Sequence, residues 1–248
     1  MARKTPQPIA LPRERALLVG VDLGRADEWP QERSMAELAR LVDTDGADVV
    51  GTLTQRLDRP VPKTFIGSGK VQELKEAVGA LDVDVVVFDE ELTPSQQGNL
   101  ERALGEPVKV IDRTALILDI FGSHAQTREG RLQVQLAQLK YVLPRLRGMW
   151  AHLASNRMGG GVGSRFGEGE SQLEVDRRMV RKRITSIRRE LERLSDVRSL
   201  QRESRYGSGM FKVALAGYTN AGKSSLINRL TGSDVLSYDK LFATLDST

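Results

Sequence analysis

The sequence predicts an α/β fold in three parts: an N-terminal, mostly parallel α/β domain, a long antiparallel helical hairpin, and the incomplete start of a P-loop domain. Three observations carry this prediction. Strand-like apolar runs alternate with helix-like segments up to about residue 111. Two leucine-rich segments with coiled-coil spacing follow. A complete Gly-x-x-x-x-Gly-Lys-Ser motif then occupies residues 217–224, between a strand-like and a helix-like run.

Composition restricts the class of protein. The chain has 248 residues, of which 40% are hydrophobic, enough for one large core or two ordinary ones. It contains no cysteine, which excludes disulfides, thiolate zinc sites and cysteine nucleophiles. No apolar run approaches the roughly 20 residues of a membrane span, and the N-terminus lacks the apolar core of a signal peptide. We therefore expect a cytosolic protein without a membrane span.

The α/β domain is expected to span residues 16–111, after a flexible tail at 1–15 that contains three prolines. Its four strand candidates are short apolar runs at 16–22, 48–54, 82–88 and 108–111. Helix-like segments separate them, which favours a parallel sheet with helices on both faces.

Three polar residues mark the expected helix starts in this domain. Ser34 and Glu37 form a capping box, and Ser68 can cap the next helix. Thr93 is an N-cap followed by Pro94 at the first helical position, in a helix that runs to about residue 104.

Residues 112–206 are expected to form two helices that fold back on each other. Apolar side chains recur at coiled-coil spacing in both segments, and the short linker permits only an antiparallel hairpin. The seam positions are Leu132, Leu136, Leu139, Leu143, Leu146 and Leu153, then Leu173, Val180, Ile184, Ile187, Leu191 and Leu194. The tip between them holds six glycines in residues 159–170, more than a simple turn needs, which favours contact with a partner.

Positive charge is concentrated in the hairpin. Residues 131–206 hold 17 Lys and Arg against 8 Asp and Glu, although the whole chain has a net charge of only +4. A basic hairpin suits phosphate contacts, and RNA is favoured over duplex DNA because no helix resembles a base-reading recognition helix. The alternative is an ordinary solvated basic face. The candidate RNA-binding residues are Arg157, Arg165, Arg177, Arg178 and Arg181.

The Gly-x-x-x-x-Gly-Lys-Ser motif predicts a phosphate-binding loop. Residues 211–217 resemble a short buried strand, and 224–230 a helix with Leu226, Ile227 and Leu230 on one face. In such a loop, backbone N–H groups and the helix N-terminus surround the phosphates. Lys223 reaches the outer phosphates and the Ser224 hydroxyl binds Mg²⁺. We therefore expect this segment to bind a nucleoside triphosphate.

Two other segments resemble functional sites less closely. Residues 67–70 read Gly-Ser-Gly-Lys but lack the spacing of a phosphate loop, so a helix start is favoured. The acidic residues 89–91 have no histidine nearby and are expected to be solvated. Neither segment is assigned a function.

Six motifs together resemble the HflX family of ribosome-associated GTPases. They occupy residues 112–121 (DRTALILDIF), 127–139 (TREGRLQVQLAQL), 141–146 (YVLPRL), 167–174 (GEGESQLE), 176–178 (DRR) and 217–224 (GYTNAGKS). The resemblance covers nearly everything after the N-terminal tail. It implies a P-loop GTPase domain after the hairpin, with GTP as substrate and GDP as product. It also implies a role on the large ribosomal subunit and its RNA, where the family splits or rescues stalled ribosomes.

The resemblance also assigns residues to the site. Residues 241–246 resemble the family's first switch segment, in which Thr244 would bind Mg²⁺ and sense the γ-phosphate. The candidate catalytic residues are thus Lys223 and Thr244, and the candidate metal ligands are Ser224 and Thr244. The candidate nucleotide contacts are Gly217, Tyr218, Thr219, Asn220, Ala221, Gly222, Lys223, Ser224, Ser225, Phe242, Ala243, Thr244, Leu245 and Asp246.

The GTPase domain in residues 210–248 is expected to be truncated. A nucleotide-binding domain needs roughly 100–200 residues, and neither Asp-x-x-Gly nor Asn-Lys-x-Asp follows the switch segment. Guanine specificity therefore rests on the resemblance, and we expect this fragment alone to be inactive and poorly stable after about residue 209. Two alternatives stay open: a nucleotide-independent ribosome or RNA-binding module, and a P-loop ATPase acting on RNA. We expect a monomer.

Overall fold

The structure is a computed structural model that describes residues 13–24, 30–156, 166–206, 213–217, 221–233 and 241. Side chains within these ranges are described except at 147–156, 166–173 and 200–206. Most of the predicted tail, the glycine-rich stretch 159–165 and most of the switch segment lie outside the described residues.

Four strands form one sheet in which all neighbours are parallel. The strands β1 (Arg15–Asp22), β2 (Asp48–Arg56), β3 (Val85–Phe88) and β4 (Lys109–Asp112) lie in the order β2-β1-β3-β4. The two central strands are buried on both faces, which explains their nearly continuous apolar sequences. The predicted parallel α/β fold is confirmed.

Helices cover both faces of this sheet. On one face, α1 (Gln31–Asp45) and α4 (Arg113–His124) pack over one apolar cluster. On the other face, α2 (Ser68–Ala80) and α3 (Pro94–Leu104) pack over a second cluster. Neighbouring residues of β1 alternate between the two clusters because successive side chains of a strand point to opposite faces.

The start of α3 follows the predicted cap. The Thr93 hydroxyl accepts a hydrogen bond from the Gln96 N–H at 3.3 Å, and the Gln96 side chain accepts one from the Thr93 N–H at 3.0 Å. This reciprocal arrangement satisfies two N–H groups that a helix start otherwise leaves without partners. Pro94 occupies the first helical position, so local sequence specifies this end of the helix.

The predicted caps of α1 and α2 are wrong. The first helix begins directly after Pro30, so Ser34 lies inside it and its hydroxyl donates to Asp89 Oδ2 at 2.7 Å. The second helix has Gly67 at its N-cap position and Ser68 as its first residue, without a side-chain cap. The Ser34 hydroxyl hydrogen-bonds to Asp89, directly after β3, instead of capping the helix. Asp89 is 55 residues away in sequence, so local spacing does not reveal it.

The third strand starts later than its apolar run predicts. Asp82 adopts a left-handed conformation with φ of 50°, and the Asp84 carboxylate accepts a hydrogen bond from the Arg15 N–H at 2.8 Å. These acidic residues form the turn between α2 and the sheet. Within the predicted run 82–88, only the four residues of β3 pair with neighbouring strands, β1 on one side and β4 on the other.

The two long helices form the predicted antiparallel hairpin, but it begins at Arg128, because the predicted start at 113–124 forms α4 and packs on the sheet. They are α5 (Arg128–Asn156) and α6 (Phe166–Tyr206). Two side-chain pairs show that the helices are antiparallel. As positions advance along α5, their partners lie earlier in α6. These pairs are Arg198 with Glu129 at 2.8 Å and Arg183 with Gln135 at 3.1 Å.

The predicted apolar seam of the hairpin is buried at three positions and partly buried at the others whose side chains are described, which excludes Leu153 and Leu173. Leu132, Ile184 and Ile187 are 8%, 7% and 0% exposed. The other described seam residues are partly buried: Leu136, Leu139, Leu143, Leu146, Val180, Leu191 and Leu194. Within the described part of the chain, neither these helices nor any other is long and apolar enough to cross a bilayer.

The segment before the last helix differs from its prediction. Residues 213–217 form no strand, and Val213 is 87% exposed. A strand needs a hydrogen-bonded neighbour, and none of the four strands described above pairs with this segment. The helix α7 (Lys223–Thr231) is confirmed, but Leu226 and Leu230 of its predicted apolar face are 46% and 71% exposed.

Candidate functional site

A glycine with a left-handed backbone conformation precedes the helix in which the phosphate-loop motif ends. Gly222 has φ of 78° and ψ of 14° and is the N-cap residue of α7. A side chain here would be strained, because residues with a Cβ rarely adopt this conformation. The Gly222 carbonyl accepts a hydrogen bond from the Leu226 N–H at 2.9 Å, which closes the first helical turn. The positive end of the helix dipole therefore lies at the loop, where an anion is stabilised.

Lys223 bridges the two ends of the motif. Its ammonium group donates a hydrogen bond to the Gly217 carbonyl at 2.7 Å. The lysine side chain also lies over Gly217, because a Cβ on this glycine would be 3.5 Å from Lys223 Cδ. A cation at the loop, close to the N-terminus of a helix, is an arrangement that favours phosphate groups.

The oxygen chemistry at the start of α7 suits a hard divalent cation. Ser224 follows the lysine in the first helical turn and is partly buried. Mg²⁺ takes oxygen ligands and commonly keeps water and substrate phosphates in its shell, so one protein hydroxyl beside nucleotide phosphates fits it. Among the residues that the structure describes, no cluster of His, Cys, Asp or Glu offers another metal site.

Part of the predicted site lies outside the described residues. These positions are Tyr218, Thr219, Asn220, Phe242, Ala243, Thr244, Leu245, Asp246, Arg157 and Arg165. Leu241, at the start of the switch segment, is described and is 7% exposed within the cluster beneath α1 and α4. The structure brings together Gly217, Gly222, Lys223 and Ser224, and the roles assigned to all site residues stay predictions.

A groove with many cationic side chains, here called the basic groove, runs along α6 beside the start of α5. Its basic lining residues are Arg128, Arg178, Arg181, Lys182, Arg189 and Arg193. The hydroxyl-bearing Thr185 and Ser186 lie between them. Glu190 also lines the groove, but it forms an ion pair with Arg128. Positive charge therefore exceeds negative charge along this face.

The sequence predicts only part of the basic groove. Arg178 and Arg181 were candidates, whereas Arg189 and Arg193 were not. Helical spacing identifies them, because Arg189 follows Arg181 and Lys182 by about two helical turns and Arg193 follows Arg189 by about one, so they lie on the same face of α6. Arg177 does not line the groove: it is partly buried, and its Nε has no hydrogen-bond partner among the described residues.

The two segments without an assigned function make structural contacts. Lys70, in the first turn of α2, pairs with Glu73 at 2.7 Å. Asp89 forms an ion pair with Arg113, which also contacts Glu37 at 3.3 Å. The two contacts of Arg113 connect α4 with α1 and with the end of β3.

Three protein-family models match consecutive parts of the chain. A model described as GTP-binding GTPase N-terminal matches residues 32–122. A GTP-binding GTPase middle-region model matches residues 124–205, and a 50S ribosome-binding GTPase model matches residues 212–248. Their order follows the α/β domain, the hairpin and the phosphate loop.

Curated relatives match across the same three parts. Proteins named GTPase HflX from Alkalihalophilus pseudofirmus and Caldanaerobacter subterraneus are 51% and 50% identical over 95% and 97% of this chain. The Escherichia coli GTPase HflX is 46% identical over 95% of this chain. The chain spans about half the length of these relatives: 54%, 54% and 53%.

A solved structure shares the fold. The GTP-binding protein from Sulfolobus solfataricus in complex with GDP is 25% identical, with a TM-score of 0.51, over 88% of this chain and 53% of that chain. The shared arrangement, the ordered family matches and the high identity to the curated relatives agree with the six sequence motifs. The chain belongs to the HflX family.

Proposed function

We propose that this chain is part of a GTP-binding and GTP-hydrolysing protein that associates with the large ribosomal subunit and splits or rescues stalled ribosomes. The observation that carries the nucleotide part is the 2.7 Å contact between Lys223 Nζ and the Gly217 carbonyl, beside the left-handed Gly222 at the start of α7. The names of the relatives and the 50S description of the matching model support guanine and the ribosome. The proposal includes a cytosolic, monomeric protein.

The phosphate-loop residues would bind and orient the nucleotide. Backbone N–H groups at the start of α7 would donate to phosphate oxygens, and Lys223 would offset charge on the outer phosphates. Mg²⁺ bound through Ser224 and Thr244 would neutralise charge on the phosphoryl group. Contact of Thr244 with the γ-phosphate would make the conformation of the switch segment depend on the nucleotide, and with it the affinity for the ribosome.

The hairpin would supply the contact with ribosomal RNA. Along α6, the basic groove extends from Arg178 to Arg193, 15 residues that span about 22 Å at 1.5 Å each. Three further cationic side chains of α6, Arg181, Lys182 and Arg189, lie between them, and Thr185 and Ser186 add hydroxyl donors suited to phosphate oxygens. A solvated face would not need cations and hydroxyls gathered in one groove, so this observation favours RNA. It also supports the second candidate function, an RNA-binding module that needs no nucleotide.

Lys223→Ala tests the nucleotide proposal. In a version extended to the full length of the relatives, we expect this change to weaken binding of a fluorescent GTP analogue by at least about 100-fold, because a desolvated charge-assisted phosphate contact is lost. Equilibrium titration measures the affinity, and competition with unlabelled GTP and ATP tests the choice of base. Stronger displacement by ATP would favour the P-loop ATPase.

Lys140→Ala is the matched control, because Lys140 is an exposed lysine on α5. It should bind the analogue like the unsubstituted protein. Equal affinity for the Lys223→Ala variant would contradict the proposal. Ribosome co-sedimentation with and without the GTP analogue then separates a nucleotide-dependent protein from a nucleotide-independent RNA-binding module.

A further inference from the structure

A charged pair is buried where α5 passes the end of the sheet. Arg145 is 8% exposed and Asp112 is 1% exposed, and their nearest side-chain atoms, Nη2 and Oδ2, are 3.4 Å apart. Removing a guanidinium and a carboxylate from water is unfavourable unless further hydrogen bonds satisfy both groups. Sequence motifs contain both residues, but neither has a function in the proposal above.

Arg145 contacts several parts of the structure at once. Its Nη2 donates to the Leu92 carbonyl at 2.6 Å, and its Nε donates to Gln97 Oε1 at 3.0 Å. Its Nη1 donates to the Tyr141 carbonyl at 3.0 Å, and the guanidinium lies 3.5 Å from the centre of the Tyr141 ring. One side chain of α5 is thus held by the segment before α3, by α3 itself and by its own helix.

Asp112 supplies the complementary half of this cluster. Its carboxylate caps α4 by accepting a hydrogen bond from the Ala115 N–H at 2.8 Å, and it accepts another from the Leu92 N–H at 3.1 Å. Leu92 therefore donates to Asp112 through its N–H and accepts from Arg145 through its carbonyl. The planar, forked guanidinium suits such multiple contacts, and a lysine ammonium does not.

A second contact fixes α5 two helical turns earlier. Gln138 Nε2 donates to the Leu118 carbonyl of α4 at 3.2 Å. Attachment at positions 138 and 145, to different elements, restrains both the position and the direction of the helix. The 11 residues from Arg145 to the end of α5 at Asn156 extend about 16 Å farther, so a rotation of about 10° there moves that end by about 3 Å.

We propose that Arg145 is a positioning residue that fixes the direction of the hairpin relative to the sheet, so that the distal part of the hairpin meets its target in one orientation. Its effect on ribosome binding rests on the proposed function, whereas its effect on hairpin direction does not. Without the Arg145 side chain, α5 would keep the Gln138 contact with α4 but lose its hydrogen bonds to Leu92 and Gln97 and its ion pair with Asp112.

Distance distributions in this chain test the positioning role. The chain has no cysteine, so the exposed Lys75→Cys in α2 and Met179→Cys in α6 can be labelled specifically. We expect a narrow spin-label distance distribution in the otherwise unsubstituted chain. Arg145→Met should broaden it by at least about twofold, and Arg145→Lys should give an intermediate width, because lysine keeps the charge but loses the fork.

A core variant separates direction from general stability. Leu38→Ala removes a fully buried side chain of α1, on the other face of the sheet from α3, and should destabilise the chain without broadening the distribution. If Arg145→Met fails to fold, Arg145→Lys is compared with Leu38→Ala instead. An unchanged width for the Arg145 variants, or equal broadening by Leu38→Ala, would overturn the positioning role.

Ribosome binding tests the consequence of that role. In the version extended to the length of the relatives, Arg145→Lys should weaken ribosome binding by about tenfold while Leu38→Ala leaves the affinity within about twofold of the unsubstituted protein. A broadened spin-label distance distribution with an unchanged affinity for ribosomes would overturn the link to target binding. If the unsubstituted protein does not bind ribosomes, the proposed function fails, and the distance measurement still judges the positioning role.

Discussion

Asp45 and Asp119 lie where α1 and α4 pack together. Burial raises the pKa of both carboxyl groups. The charges of Asp119 and then Glu14 raise the pKa of Asp45 further, and His124 opposes this, while Lys109 opposes the rise for Asp119. A carboxyl group whose pKa is higher in the folded state favours its protonated form there. Its ionised form therefore destabilises the fold near neutral pH.

Asp119→Asn tests this destabilisation. Asp119 is still exposed to solvent, so the neutral amide avoids only a partial desolvation cost while it relieves Asp45, and we expect a slightly higher Tm at pH 7. The gain should shrink as pH falls through the raised folded pKa and vanish below the ordinary Asp value of about 3.9, where both states bind the proton. Thermal denaturation from pH 3 to pH 8 measures the effect. The exposed Asp58→Asn serves as the control, and a lower Tm for Asp119→Asn at pH 7 would contradict this account.

At the scale of elements, spacing predicted the hairpin seam better than it predicted the helix ends. Ile184 and Ile187 are buried, as a coiled-coil pattern requires, because each seam can only leave water by packing against the other. Thr93 formed its cap because its partner lies three residues away. Ser34 did not, because its partner Asp89 lies across the fold. Local rules succeed where the interacting groups are close in sequence.

Ile187→Ala tests the energetic role of the seam. Ile187 is 0% exposed, so its truncation should lower the free energy of unfolding by about 2–5 kcal/mol through lost burial and a cavity. Chemical denaturation of this chain, followed by circular dichroism, measures the change. Met179→Ala on the same helix removes a side chain that is 59% exposed and should change stability by less than about 0.5 kcal/mol. Similar losses for both variants would refute the assigned seam.

At the scale of the whole molecule, the sheet domain supplies the compact core and the hairpin carries the concentrated positive charge. The parallel sheet and its four helices form the compact unit, and the hairpin carries the basic groove. A contact that depends on several phosphates should lose affinity steeply with salt, because each neutralised phosphate releases counterions. The groove should therefore dominate the salt dependence of RNA binding, while the sheet domain should contribute little.

The triple change Arg181→Ala, Lys182→Ala and Arg189→Ala tests this division. We expect the slope of log affinity against log salt to fall by about 2–3 for ribosomal RNA, because up to three phosphate contacts are removed. Filter binding across a salt series measures the slope. The matched control removes three exposed charges from the sheet domain, at Lys63, Lys75 and Arg102, and should leave the slope unchanged. Equal slopes for both triple variants would contradict the assignment.

The sequence by itself determined the alternation of strands and helices, the antiparallel hairpin and the phosphate-loop motif at Gly217 to Ser224. Each depends on periodicity or on groups a few residues apart, so local patterns carry it. Only the tertiary structure decided that 213–217 form no strand, that Arg189 and Arg193 share a groove with Arg128, and that Arg145 meets Asp112. These features depend on which groups become neighbours when distant segments pack, and burial, strand pairing and charge pairing are set by those neighbours.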